Sequence, residues 1–210
     1  MRRVLLWLLA VFVTAALCWL CPPFRIVPLG QAQQKQLQGV FDARAFARTY
    51  WDQKLLPATG RAVPVAELLT GLAQDPAAAR QRFGRALGLS STFCFFTQGS
   101  GRIIAIDKEG VSVAFEGASA GTRARLSTGL LFGNTIRDAT GLLDVNDFPN
   151  SQDFNAISAE LNRLVETQVL PALRSQAAIG EQIRFAGCIE LEEGPAPQIL
   201  QVTPVKVEWP

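Results

Sequence analysis

Side chains able to bind or react concentrate between Gly133 and Asn150, where GNTIRDATG is followed closely by DVNDFPN. The stretch combines Asp and Asn with one arginine, whose planar fork can hold a carboxylate or a pair of sugar hydroxyls. We therefore predict a polar ligand or partner surface anchored by this arginine. Its candidate binding residues are Gly133, Asn134, Arg137, Asp138, Asn146, Asp147, Phe148 and Asn155.

Two other interpretations of the stretch remain open. In the first, Asp and Asn form turns, Asn150 or Ser151 caps the next helix, and Arg137 and Asp138 form a structural ion pair. In the second, Asp138 and Asp147 act as a pair of carboxylates in acid–base catalysis, and residues 133–153 form the active site of a hydrolase. The spacing alone neither sets a distance between carboxylates nor raises a pKa, so we predict no catalytic residue.

Several other chemistries are excluded or unsupported. The 210-residue chain has no histidine, which removes Ser-His-Asp and Cys-His catalysis and the usual zinc ligands. A calcium loop starting at Asp144 fails, because Phe148 would occupy a ligand position and Pro149 would replace the required glycine. We therefore predict no metal and no cofactor. Nucleic acid is not an expected partner either, since 17 basic residues face 18 acidic ones from Gln31 onward.

Cysteine usage leaves one question open. Two of the four cysteines lie in the apolar N-terminal run, and the other two, Cys94 and Cys188, lie in strand-like runs. In an oxidising compartment Cys94 and Cys188 could form a disulfide, or each could be a small buried hydrophobic residue. Sequence does not show whether their Cα atoms come close enough to be bridged.

The N-terminal run indicates attachment to a membrane. Val4 to Cys21 is uncharged, and as a helix of about 27 Å it can just span a bilayer. Arg2 and Arg3 before it favour a cytoplasmic N-terminus and an exported remainder. We predict a single-pass inner-membrane signal anchor at 1–23, a tether at 24–38 and a periplasmic domain at 39–210. Cleavage and lipidation are the alternatives, although leucine precedes both cysteines of the run where a lipobox needs a small residue.

Within 39–210, the pattern changes from helical to β at about residue 91. Helices are predicted from Asp42, as N-cap, to Leu56, from Pro64, and from Asp75, also as N-cap, to Gly88. Strands are expected at 93–96 and 102–106, with a turn at Gly99–Gly101 between them. After a turn at 108–110, further strands are expected at 111–115, 123–128, 130–137, 183–191 and 205–209. One helix is predicted at 151–170, and its apolar face comprises Phe154, Ile157, Leu161, Leu164 and Val165. Three or more strands, a helix and two strands form the order of an OB-type Greek-key barrel, and a generic α+β sandwich would give much the same order. We expect an α+β chain with a helical part, 39–90, and an OB-like part, 91–210.

The chain also resembles a known family. The phrases FDARAFARTYWDQKLLPA, LLFGNTIRDATGLLDVNDFPNSQDFNAISAELN and VTPVKVE look like the uncharacterised family of predicted periplasmic lipoproteins. The resemblance implies a bacterial envelope protein with an OB-like fold, often encoded beside sugar ABC importers. The family-like core comprises Gly133, Arg137, Asp138, Asn146, Asp147, Phe148 and Asn155, and no catalytic role comes with it.

Together these observations favour a non-enzymatic, membrane-anchored periplasmic accessory or binding protein. The expected partners are the inner membrane and, following the resemblance, a permease of an ABC importer or a periplasmic sugar-binding protein. The alternative is the periplasmic hydrolase that uses the Asp-rich segment. Absence of histidine and of a nucleophile motif weighs against that enzyme.

Overall fold

The computed structural model describes residues 41–86, 91–115, 123–195 and 197–210. The chain divides into two units, Met1–Phe41 and Asp42–Pro210, and the fold below is that of the second. The predicted anchor, 1–23, and tether, 24–38, lie outside the described residues. In the ranges just given, no helix combines the length and hydropathy needed to cross a membrane.

The second unit starts with a helix interrupted by a wider turn. Helix α1, Ala43–Tyr50, leads through a π-helical turn, Trp51–Leu55, into α2, Leu56–Ala58. The predicted cap is confirmed, because Ala45 N donates to Asp42 Oδ1 at 2.9 Å. The predicted end before Pro57 is wrong. This proline lies two residues after the π-helical turn, and the helix continues through it to Ala58.

Two further helices follow a short strand, β1, Val63–Pro64. They are α3, Val65–Gln74, and α4, Pro76–Phe83, and the cap of the latter is Asp75, as predicted. Helix α4 does not reach Gly88. It ends at Phe83 because strand β2, Gly84–Arg85, pairs with the next strand of the sheet.

The predicted turn at Gly99–Gly101 does not exist, and one strand replaces the two that were expected. Strand β3, Thr92–Ile106, runs through these residues, and its part from Thr92 to Arg102 pairs with the whole of β6, Gln182–Glu192. The glycines do not form a turn; they allow neighbouring strands and side chains to approach β3 closely. A Cβ at Gly101 would lie 2.2 Å from the carbonyl oxygen of Ala114 on β4, Gly110–Phe115.

Five strands pair in a closed ring. The other two members are β5, Arg123–Ser127, and β7, Ile199–Glu208. Around the ring the order is β3-β4-β5-β7-β6, and β6 returns to β3. All neighbours are antiparallel except β5 and β7, which are parallel. This matches the predicted strand order, with a helix between the third and fourth strands of the ring.

The hairpin between β3 and β4 forms where it was predicted. The side chain of Asp107 accepts hydrogen bonds from the backbone N–H groups of Glu109 and Gly110, at 2.8 and 3.1 Å. The Asp107 N–H also donates to the Gly110 carbonyl at 3.0 Å. An aspartate that bonds to N–H groups two and three residues later stabilises a tight turn, which explains the position of the hairpin.

The segment between β5 and the long helix is not a strand, contrary to the prediction for 130–137. Residues 135–137 of the predicted strand belong instead to helix α5, Thr135–Ala139. The long helix is α6, Ser151–Leu164, which continues through a π-helical turn, Val165–Val169, into α7, Leu170–Gln176. Its predicted apolar face is confirmed and buried, comprising Phe154, Ile157, Leu161, Leu164 and Val165.

Candidate functional site

Arg137, the predicted anchor of a binding surface, is buried. Its side chain is only 1% exposed, and its Nε and Nη2 atoms donate to the two carboxylate oxygens of Asp138 at 2.6 and 3.1 Å. Nη1 donates to the carbonyl of Phe154 and to Oδ1 of Asn155, at 3.2 and 3.1 Å. The prediction that this fork faces a ligand is therefore wrong, because protein groups occupy it. The structural ion pair, the other interpretation, is what forms.

Aromatic rings enclose the same guanidinium. Its Cζ lies 3.7 Å from the centroid of the Phe154 ring, a cation–π geometry. Phe148 packs between that ring and Phe46 of α1, with centroid distances of 5.2 and 5.5 Å. The predicted binding residue Phe148 is thus half-buried and joins α1 to α6.

A second buried hydrogen bond holds the end of α5. Tyr50 Oη and Thr140 Oγ1 are 2.6 Å apart, and Thr140 Oγ1 also accepts from Leu142 N at 3.3 Å. Burial raises the pKa of Tyr50 to about 12, although the bond to Thr140 acts in the opposite direction. Tyr50 and Trp51 are 2% and 1% exposed, so this aromatic pair belongs to the core.

Asn146 and Asp147 lie in an exposed turn, and neither is among the hydrogen-bond partners of the buried arginine. Val145–Asp147 forms one turn of 3-10 helix, and the backbone N and Nδ2 of Asn146 both donate to Asp144 Oδ1 at 2.8 Å. Downstream, Asn150 caps α6 by accepting from Asp153 N at 2.8 Å, as predicted. Turn and cap chemistry therefore account for much of the Asp and Asn in this part of the chain.

The residues ahead of α5 form an exposed loop, which we call the tip loop, Gly129–Asn134. It presents Leu130 and Phe132, which are 78% and 81% exposed. The backbone around them is held by the long helix. Leu131 N donates to Glu166 Oε1 at 3.0 Å, and Asn162 Nδ2 donates to the Gly133 carbonyl at 3.1 Å. The apolar side chains thus project from a loop with fixed backbone positions.

A groove of about 520 Å³ separates the tip loop from α6. Three predicted site residues line it, Gly133, Asn134 and Asn155. Its helical wall continues with Ser158, Asn162 and Glu166. Ser158 is 4% exposed, and its Oγ has no hydrogen-bond partner within the part of the chain that the structure describes.

The sequence therefore predicts part of each edge of the groove and misses the rest. It placed residues 130–137 in a strand, which hid the exposure of Leu130 and Phe132. A signal for the helical wall did exist, because Asn155, Ser158 and Asn162 recur at helical spacing within an amphipathic helix. Asn146 and Asp147 were also predicted, but neither lines the groove.

Cys94 and Cys188 are free, buried thiols, so the disulfide left open by the sequence is not formed in this structure. Their register gives the reason. Cys94 lies opposite Glu190 and Cys188 opposite Phe96, which makes the two thiols diagonal neighbours on adjacent strands. Diagonal Cα atoms are about 7–8 Å apart, whereas disulfides need about 4.4–6.8 Å. Burial raises the pKa of Cys94 to about 12 and raises that of Cys188 as well, so both favour the thiol form.

Three of the four aspartates in residues 133–153 have structural partners. Asp138 binds Arg137 with both oxygens, Asp144 holds the 3-10 turn, and Asp153 Oδ2 accepts from Asn150 Nδ2 at 2.8 Å. Across 41–86, 91–115, 123–195 and 197–210, no group of three or more metal-ligating side chains comes together.

Comparison with known proteins places the chain. Residues 8–208 match the family described as "Predicted periplasmic lipoprotein (DUF2291)". The chain belongs to this family. The crystal structure of an OB-fold protein from Thermotoga maritima is similar, with a TM-score of 0.71 and 28% sequence identity over 81% of this chain and 99% of that one. The predicted mixed α+β fold with an OB-type relative is thereby confirmed. No curated protein matches the chain.

Proposed function

We propose that this DUF2291 protein is a non-enzymatic accessory protein, anchored in the inner membrane by residues 1–23, which docks onto another envelope protein through its tip loop. The carrying observation is the exposure of Leu130 and Phe132 on a loop whose backbone is fixed from α6. Two large exposed apolar side chains, two residues apart on a hydrogen-bonded backbone, are suited to a partner, because little backbone freedom is lost on binding.

The partner that we propose is a component of an ABC-type sugar importer, either its permease or its periplasmic binding protein. This part of the proposal follows from the family resemblance. The hydrolase alternative is less well supported, because Asp138 is held by both of its oxygens in the ion pair with Arg137.

Site-specific photo-crosslinking in intact cells tests this proposal. A photoreactive amino acid replaces Phe132 in one strain and Ile179 in the other. Ile179 is a matched control, because it is 70% exposed and lies in a different loop, between α7 and β6. We expect an adduct with an importer component from position 132 and none from position 179.

The variant Phe132→Ser supplies the control for folding. Its melting temperature should equal that of the wild type, since an exposed side chain contributes little to the free energy of unfolding. An adduct at neither position, or the same adduct at both, would exclude docking through the tip loop.

A further inference from the structure

The groove beside the tip loop has a polar wall that the docking role does not use. Asn155, Ser158 and Asn162 are three and four residues apart on α6, which places their side chains on one face of the helix. Phe132 stands at the opposite rim. The groove thus has hydrogen-bonding groups on one side and an aromatic ring on the other.

Ser158 is the most unusual member of this wall. A serine within a helix can donate to the carbonyl four residues earlier, which here is that of Phe154. The Phe154 carbonyl already accepts from Arg137 Nη1 at 3.2 Å, and Ser158 Oγ does not bond to it. A buried hydroxyl without a partner destabilises the folded protein, so an external partner at this position would be favourable.

The two flanking amides each keep one free group. Asn155 Oδ1 accepts from Arg137, and no hydrogen bond within the described residues uses its Nδ2 as a donor. Asn162 Nδ2 donates to the Gly133 carbonyl, and its Oδ1 accepts from no donor in the same parts of the chain. A donor, an acceptor and a hydroxyl that can act as either therefore follow one another along the wall.

Charge at the groove is balanced. Arg163 lines it but donates from Nε to Glu160 Oε2 at 2.7 Å, and Glu166 accepts from Leu131 N. One positive and one negative side chain, each with a protein partner, favour neither an anion nor a cation. The volume of about 520 Å³ lies within the usual range of small-molecule sites, about 300–1,000 Å³.

We propose that this groove binds an uncharged, polyhydroxylated small molecule. Its hydroxyl groups pair with Asn155, Ser158 and Asn162, while Phe132 covers a face made of C–H groups. Hydroxyls both donate and accept, which matches the alternating groups of the wall. This inference does not rest on the docking role, and either can fail alone.

Thermal melts of the purified full chain in detergent, with and without separate additions of D-glucose, D-ribose and myo-inositol, provide the test. At least one probe should raise the melting temperature progressively with concentration, because binding to the folded state alone stabilises it. Gluconate, which is an anion of similar size, should not.

Two variants locate the effect. Ser158→Ala removes the unpaired hydroxyl, so we expect a higher melting temperature without ligand and an affinity weakened by about tenfold. The matched control is Ser175→Ala in α7, whose Oγ donates to Ala172 O at 3.3 Å, and it should leave the affinity unchanged. Ala159→Leu fills the groove from an exposed helical position and should abolish the ligand-dependent shift.

Any of four results would overturn the inference: no shift with any probe, equal stabilisation by gluconate, a lower melting temperature for unliganded Ser158→Ala, or an unchanged shift in Ala159→Leu. The last also detects non-specific stabilisation, since sugars excluded from the protein surface would stabilise every variant alike. The outcome of photo-crosslinking at position 132 does not bear on these results.

Discussion

Two arginine–aspartate pairs in this molecule have nearly the same length and different surroundings. Arg137 and Asp138 are 2.6 Å apart, with side chains 1% and 14% exposed. Arg125 and Asp107 are 2.5 Å apart, with side chains 23% and 49% exposed. The first pair lies in α5, within the polar stretch from Gly133 to Asn150. The second lies beside the hairpin between β3 and β4.

The comparison shows that exposure, rather than distance, decides what such a pair does. Water can replace the partner of an exposed charge, and salt screens the attraction. A buried guanidinium has no such substitute, so the bonds to Asp138, Phe154 and Asn155 must all be present to keep it in the core. The buried pair therefore organises the fold, while the exposed pair adjusts one turn.

Replacement of Arg137 should give the largest effect. Arg137→Met keeps much of the volume but leaves the Asp138 carboxylate without its cation, so we expect a loss of about 3–5 kcal/mol in the free energy of unfolding. Urea titration followed by circular dichroism measures it. Arg125→Met is the matched control and should change the curve much less. A similar, small effect of both substitutions would contradict the distinction between the pairs.

The pair of Arg137 and Asp138 shows which features of the structure the sequence could predict. Helix caps at Asp42, Asp75 and Asn150 were predictable, because each depends on a side chain and an N–H two or three residues later. The hairpin at Asp107 is equally local. Whether Arg137 faces solvent or the core depends instead on Phe154 and Asn155, 17 and 18 residues away, and local pattern carries no information about that.

The two errors in the sheet have a similar origin. Gly99–Gly101 resembles a turn in sequence, but β3 needs small residues there because β4 and the ring of Phe185 lie so close. The consecutive apolar residues 130–132 resemble a buried strand, yet Leu131 N donates to Glu166 and Asn162 donates to the Gly133 carbonyl, and these bonds hold the segment as a loop. The course of β3 and the loop at 130–132 both depend on residues distant in sequence. So does the polar groove, whose two sides come from residues 130–134 and 155–166.

Among the buried residues, replacement of Tyr50 should have an intermediate effect on the free energy of unfolding. Tyr50→Phe removes one buried hydrogen bond, to Thr140, and should cost about 1 kcal/mol in the free energy of unfolding. The double variant with Thr140→Val should cost less than the sum of the two single changes, because the hydroxyls interact directly. Additive costs would show that the two hydroxyls do not stabilise each other.

Alkaline titration of the wild type gives an independent reading of this site, because Tyr50 is the only tyrosine in the chain. Burial raises its pKa to about 12, so the folded protein holds the proton that an unfolded chain releases at about 10. This contribution to stability is complete below pH 10 and declines as pH rises towards 12. Tyrosinate absorbance should therefore appear only well above pH 10. Its appearance near pH 10, while circular dichroism still reports a folded protein, would refute burial of this hydroxyl.

The smallest effect is expected at the exposed pair, and it depends on pH. Hydrogen bonds from the backbone of Glu109, with a smaller contribution from Arg125 and from the N–H of Gly110, hold the pKa of Asp107 below its usual range. A carboxyl group with a lower pKa in the folded state stabilises that state above its unfolded pKa, about 3.9, and the contribution is lost as pH falls through the folded value. The melting temperature of Asp107→Asn should therefore lie slightly below that of the wild type at neutral pH, and the two should converge in acid.

Raising the salt concentration should remove only part of the difference, because the backbone hydrogen bonds, unlike the attraction to Arg125, are local and little screened. A difference that grows on acidification, or one that salt abolishes, would show that the turn does not depend on the Asp107 carboxylate as the structure indicates.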